Sequence, residues 1–406
     1  MHEARVSEIQ NPGSIKDTKK IVGIGTTLMM LGLIGFFIQY RENHALAWGA
    51  YLEGYFFTLG FGLFGLFFIA VNHVTASVWI IPFRRVCEAL SSFLIFSVIL
   101  LIPIAIFKDT LYPWAQPGHA HLTGTKAAWL SSGFWDFRIF LYIIVWALYA
   151  NHYRTMSLRQ DDHKQNLNAQ SKSSIFLVIF GFSYCLFAFD LLMALRPHWY
   201  STMYGVYCFA GLVQSGLSMM ILFILMLKRN GFLNGVMKER HLFDAGTWLL
   251  AWCTFMCYIG FSQFMLIWYA NLPEETVFFR DHLFGEWKYL YIAIYVMKWG
   301  VPFLVLMPKP FRRNPIVLTV MACWLIFANW LDIYWMVTPE VLSHDETARA
   351  LVGQGTAFGK HFILSLMTAA GFLGAYLIVV NKFLSKNSVV AYGEPKLLSS
   401  VNGDYL

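Results

Sequence analysis

Asp190, Asp332 and Lys298 stand inside runs of apolar residues, where little water is available to solvate a charge. Asp190 lies in FAFDLLMALRPHWYSTMYG (187–205), shortly before Arg196 and Pro197, and Asp332 lies in NWLDIYWMVTP (329–339). Asp136 and Arg138 open one further apolar run, and Lys288 opens another that carries Lys298 deeper in. His73, Glu88 and Asp244 mark the opposite ends of such runs. Groups of these types support two kinds of chemistry. They can pair, Asp190 and Asp332 with Arg138, Lys288 or backbone donors, and so fix geometry. They can also relay protons or touch a polar ligand between helices. An unpaired charge at a bilayer centre costs about 2.5–3.5 kcal/mol on insertion scales, so isolated ones are not expected. Gln214 and Ser215 lie at a similar depth to Lys298 and are expected as its polar neighbours.

The elements that must position these groups follow from composition. Of the 406 residues, 58% are hydrophobic and only 13% charged, and mean hydropathy is +0.54. A soluble domain usually carries about 25% charged residues. The apolar residues come in blocks long enough to cross a bilayer as helix. The blocks fall at 21–38, 51–72, 88–107, 135–151, 174–195, 203–227, 245–270, 287–307, 315–337 and 361–381. The chain therefore reads as an all-α integral membrane protein of about ten spans. Two four-helix bundles are expected, spans 2–5 and 6–9, flanked by spans 1 and 10.

In segments, this gives an N-terminal tail (1–20), a first span with its loop (21–50) and a first bundle (51–195). A second bundle (196–337), a loop with the last span (338–382) and a C-terminal tail (383–406) follow. Basic residues gather on alternate loops, such as Arg84 and Arg85, Arg154 and Lys172, Lys228 and Arg229, and Arg312 and Arg313. They share that side with the N-terminal lysines and arginine (Arg5, Lys16, Lys19 and Lys20) and with Lys382 and Lys386. Both termini are then cytoplasmic. The first apolar run has no cleavage signature after it and reads as a retained span. The loops near 108–134, with Pro113, Trp114, Pro117 and Trp129, and near 338–360 face outward and should form a cap or meet a partner.

Spans 2–5 resemble spans 6–9 after a shift of roughly 150 residues. Gly60, Gly65 and Leu66 align with Gly211, Gly216 and Leu217, and Gly133-x-Trp135 aligns with Gly285-x-Trp287. Asp190 with Pro197 aligns with Asp332 and Pro339. Four helices per unit preserve direction, so the repeat would be parallel. The glycines would let helices approach closely.

Other classes find little support. The net charge of +7 sits in loops between spans and is no nucleic-acid signal. The six cysteines show no haem-attachment or cluster spacing, and no nucleotide-binding loop is present. Apart from His73, the one histidine at a span is His361, which opens the last span at the opposite face, so paired axial haem ligands are not expected. His198 and His282 fall in outer loops.

QFMLIWYANLPEET (263–276), FDLLMALRPHWYSTMYG (189–205) and NWLDIYWMVTP (329–339) resemble signatures of the ActF-type membrane subunit of bacterial alternative complex III. That subunit belongs to the NrfD-like group, with the membrane anchor of polysulfide reductase. The resemblance implies a multi-pass protein of a bacterial inner membrane, within a quinol:electron-acceptor oxidoreductase. It implies that this chain holds no cofactor, while c-type haem and iron–sulfur clusters sit in partner subunits beside an ActC-like subunit. On this reading the chain gives assembly and a partial proton path through His73, Asp136, Asp190, Asp244, Lys298 and Asp332. A second reading has the chain itself bind and oxidise menaquinol or ubiquinol near Asp136 and Asp190. A third, from another class, is a proton-coupled solute transporter.

Overall fold

The computed structural model describes residues 13–16, 18–116, 122–163, 169–353 and 355–403. Arg5 and Pro117, named above, lie outside these. Among the described residues there is helix and no strand. Ten helices among the described residues are long and apolar enough to cross a membrane. They are α1 (Lys19–Glu42), α2 (His44–Val74), α3 (Ile81–Ile106), α4 (Ser132–Asp162), α5 (Gln170–Leu195), α6 (Met203–Arg229), α7 (Glu239–Ala270), α8 (Trp287–Leu306), α9 (Pro315–His344) and α10 (Lys360–Lys386).

Each apolar block of the sequence coincides with one of these helices, overrunning it by one residue at 107 and 307. Several helices extend past their blocks, as α3 does from Ile81 and α4 to Asp162, and two of the shifted boundaries have a local cause. Helix α2 begins at His44 and not at 51, because Asn43 caps it: its side chain accepts a hydrogen bond from the Leu46 N–H at 2.8 Å. Helix α9 continues through Pro339 to His344, where the sequence reading had ended it at 337. Its start is sharp, with Pro315 in the first turn and the Asn314 side chain accepting from the amides of Ile316 and Val317.

Helices α2 and α6 are the most enclosed. Helix α2 packs against α3, α5, α6, α9 and α10, and α6 packs against α5, α7 and α9. Helices α3 and α4, α4 and α5, α7 and α8, and α8 and α9 are also in contact. Apolar side chains such as Ile34 and Phe37 on α1 or Tyr258 and Phe261 on α7 face outward, as a lipid-facing surface requires.

Of the glycines aligned in the repeat, Gly65 and Gly216 permit close approach. A Cβ at Gly65 would lie 2.4 Å from the Cys87 carbonyl oxygen, and one at Gly216 would lie 2.1 Å from Phe64. Gly60 has no such role, since a Cβ there would meet only Leu212 at 4.0 Å. The tightest helix pair is α1 with α10. A Cβ on Gly32 would lie 2.4 Å from the Gly371 Cα, and one on Gly374 would lie 2.4 Å from the Gly25 carbonyl oxygen. Backbones this close leave room for hydrogen alone.

Both described chain ends lie on one face, here the terminal face; the other is the far face. The Ile15 amide donates to the Leu384 carbonyl, and the Val389 amide donates to Gly13. The segment after α10 then crosses the terminal face. Glu394 pairs with Arg84 at 2.6 Å, and the Gly393 amide donates to Asp161. Arg240 donates to the carbonyls of Ser400 and Val401. Burial alone would raise Glu394, but the Arg84 guanidinium outweighs it and holds the carboxyl below its ordinary range. The C-terminal tail is thus packed structure.

Replacing Gly32 with valine should overpack the α1–α10 seam and cost about 1–3 kcal/mol. A lower thermal midpoint in detergent, with faster proteolysis between α1 and α2, would report it; Gly23→Val, where a Cβ meets nothing within 4 Å, should have no such effect.

Candidate functional site

The chemistry of Lys298 begins with Pro302. A proline has no amide hydrogen and crowds the carbonyl one turn earlier, here that of Lys298. Residues Val296–Gly300 accordingly form a π-turn within α8. The released Lys298 carbonyl accepts a hydrogen bond from Gln214 Nε2 on α6 at 2.7 Å. Pro302 therefore both distorts the helix and creates the need that Gln214 meets. Ser215, the other expected neighbour, bonds back to Gly211 in its own helix.

The Lys298 ammonium donates to Asp332 Oδ2 at 2.6 Å and to Asn329 Oδ1 at 3.2 Å, both on α9. Lys298 and Asp332 are each 2% exposed. Asp332 Oδ1 accepts from the Tyr207 hydroxyl at 2.6 Å. Space for the ammonium comes from Gly211, where a Cβ would lie 3.4 Å from Nζ and 3.0 Å from Asn329 Oδ1. The sequence reading had offered Arg138 or Lys288 as partners for Asp332. The partner is Lys298, while Lys288 lies beside the Tyr289 ring.

From Asp332 a line of hydroxyls runs toward the far face. Gly260 makes room for both Tyr207 and Tyr295: a Cβ there would lie 2.9 Å from the Tyr207 ring and 2.4 Å from the Tyr295 hydroxyl. Tyr291 donates to Tyr295 at 3.1 Å. A void of about 10 Å³ borders these tyrosines and Gln263, close to the space one water needs. Gln263 in turn donates to Ser201, in the turn before α6, at 3.3 Å. Toward the terminal face the buried polar side chains of α6 end with Ser215 and Ser218, which bond back to their own helix, and Met219, Met220 and Ile221 follow, all buried. The polar seam is thus one-sided.

Asp190 forms a separate and closed node. Its two carboxylate oxygens accept from Arg138 at 2.8 and 3.1 Å, and Oδ1 also accepts from Trp129 Nε1 at 3.0 Å. The Arg138 guanidinium lies 3.9 Å from the Trp129 ring centre and donates to the Trp129 carbonyl. Trp135 donates to the Asp190 carbonyl and Tyr112 to that of Leu191. The carboxylate holds the loop after α3 against α4 and α5. Asp136 pairs with Lys108 at 2.5 Å and is about one-third exposed.

The remaining candidates lie elsewhere. His73 lies 3.3 Å from the Ser173 hydroxyl and borders a polar cavity of about 380 Å³ on the terminal face, with Arg84, Gln160 and Glu394. Asp244 borders another terminal-face cavity with Trp79 and Trp248. The structure brings Lys298 and Asp332 together; Asp136, Asp190, His73 and Asp244 do not join that pair.

Three buried polar groups escaped the sequence reading. Glu53, 1% exposed in α2, accepts from Thr338 at 2.7 Å and from Ser365, with no cation in contact among the described residues. Its signal was plain: a glutamate within the apolar run from Ala45 to Ala70. Arg85 is fully buried and bridges Glu88 at 3.1 Å and Asp161 at 2.5 Å. At the far face Arg196 joins Glu340 at 2.8 Å and Asp281 at 2.9 Å. His282, in the connection between α7 and α8, is fully buried beside them, stacked on Phe278 at 3.9 Å. Its Nδ1 faces the Phe278 carbonyl at 2.9 Å. Burial first, and Arg196 second, push the His282 imidazole down to about 3.

Removing Arg138 (Arg138→Met) should cost about 3–5 kcal/mol, since it strands a buried carboxylate. The double variant Arg138→Met/Asp190→Leu should recover much of that loss in thermal unfolding. A second expectation concerns pH. His282 is neutral when folded and protonates near 6.5 when unfolded, so acid favours the unfolded chain. The stability contributed by His282 should be full well above pH 6.5 and fall by about 2 kcal/mol between pH 7 and pH 5. The slope should flatten in His282→Gln.

Compared with models of known protein families the chain matches none, and compared with curated proteins it matches none.

Proposed function

We propose that this chain is a cofactor-free membrane subunit of a quinol-oxidising respiratory complex of the alternative complex III type. It lies in a bacterial inner membrane with both termini cytoplasmic, so the far face is the outer one. Helices α2–α5 and α6–α9 form two four-helix bundles related by a parallel repeat, with α1 and α10 beside them. Iron–sulfur and c-type haem subunits carry the electrons, and an ActC-like subunit stands next to this one. The stretches 189–205, 263–276 and 329–339 support the assignment, as does the contact of the first helix of each set with its last.

The observation that carries the functional reading is the Lys298–Asp332 pair at the inner end of a hydroxyl-lined, one-sided seam. Oxidation of a quinol releases protons as well as electrons. Side chains that hold a proton while excluding bulk water suit its passage to one side. Lys298 and Asp332 hold or yield the proton, Asn329 and Tyr207 steady the carboxylate, and Tyr295 and Tyr291 lead outward. The reading in which this chain oxidises quinol itself is less favoured, because Asp190 has both oxygens engaged by Arg138.

A tag on this chain should bring down a red complex with haem and cluster spectra from native membranes. A colourless single chain that moves a solute against its gradient would overturn the assignment. In the assembled complex, Lys298→Met and Asp332→Asn should slow proton release to the outer side by about 10²-fold, the usual reach of one acid–base group, with subunit content unchanged. Unaltered proton release in assembled Lys298→Met would remove the role given to this pair.

A further inference from the structure

A groove of about 520 Å³ runs between the α1–α10 pair and the α6–α9 pair. Its walls include Ile24, Phe57, Met226, Trp330, Leu366 and Leu377 and are almost wholly apolar. Helices α1 and α10 rest on α2. Helix α10 meets α9 near its start, where Phe362 packs on Trp330 and Tyr334 at 5.3 Å, and from Leu366 onward the groove separates them. Along α10 it extends from Leu366 to Leu377, about 16 Å of helix. That is roughly half of a 30 Å hydrocarbon core, the depth of one leaflet. The groove begins at Ile21 in the first turn of α1, so that leaflet is the one at the terminal face.

Its mouth is basic. Lys20 precedes Ile21 on α1, and Lys228 and Arg229 follow Met226 at the end of α6. Lys20 and Arg229 are exposed, and none of these three cations has an ion-pair partner among the described residues. A slot with the length of one acyl chain, opening beneath unpaired cations at the headgroup level, has the chemistry of a specific lipid site.

We propose that an anionic phospholipid binds here, with one acyl chain in the groove and its headgroup against Lys20, Lys228 and Arg229. It fills the gap between the α1–α10 pair and the rest of the protein and so acts as part of the packing. The inference does not depend on the respiratory assignment. The main competitor is an isoprenoid quinone, because Trp330, 1% exposed at the inner end, has an indole N–H without a partner that a carbonyl could accept.

The test uses the full chain, in its native complex where one copurifies, extracted in mild detergent. Native mass spectrometry should find one retained phospholipid per chain. After delipidation, added phosphatidylglycerol should raise the thermal midpoint more than phosphatidylcholine does. Ala370→Phe, which puts a ring into the groove from α10, should abolish retention and the gain in midpoint. Should that variant not fold, Leu373→Trp serves the same purpose. Lys20→Gln/Lys228→Gln/Arg229→Gln should keep the groove but lose the preference for phosphatidylglycerol. Retention by Ala370→Phe equal to the unmodified chain, equal response to both lipids, or a retained isoprenoid quinone would each overturn the proposal.

Discussion

A charge inside this protein has almost no water to turn to, so nearly every one is answered by an opposite charge or a donor held at bonding distance. That constraint organises the fold. Arg138 answers Asp190 between α4 and α5, and Lys298 answers Asp332 between α8 and α9. Arg196 answers Glu340 at the far face, and Arg84 and Arg85 answer Glu88, Asp161 and Glu394 at the terminal face. Some links join consecutive helices, as Arg138 to Asp190 and Lys298 to Asp332, and others span far more sequence, as Arg196 to Glu340 and Arg84 to Glu394. Apolar contact alone would fix helix register weakly here, because lipid competes for the same surfaces. The polar links supply what apolar packing lacks.

The two buried pairs have different surroundings and so different capacities. Around the Asp190 carboxylate the donors come from Arg138 and Trp129, which engage both oxygens, while Trp135 holds the Asp190 backbone carbonyl. Around Asp332 they come from Lys298 and Tyr207, groups able to exchange protons, beside a void near the size of one water. Similar ion pairs thus serve as a clamp in one half of the chain and as a polar seam in the other.

Much of this could be read from the sequence. The helices follow from block length and hydropathy, and Asp190, Lys298 and Asp332 stand out as charges where apolar residues belong. What could not be read is pairing. Whether Lys298 or Lys288 meets Asp332 depends on the rotation of α8, and the π-turn set by Pro302 changes that rotation. Pro302 was visible, but its effect needs Gln214 in place across the gap. Likewise Asn43 carries the start of α2 in a single side chain, which a hydropathy scan does not see. Glu53 was legible and lay at the edge of a block drawn too short. Nothing in the sequence around His282 marks it as buried, because its cover comes from Phe278 and Trp335 through tertiary packing.

The tail that crosses the terminal face has a consequence for the order of biosynthesis. Arg84 belongs to the third helix to leave the ribosome, yet its carboxylate partner follows 310 residues later. Until Glu394 emerges, the carboxylate beside that guanidinium is Glu88, one turn on in its own helix at 3.5 Å. The last turn of translation closes a lock laid down near the beginning, so a chain cut short before residue 393 would reach the membrane with its helices inserted and its latch missing.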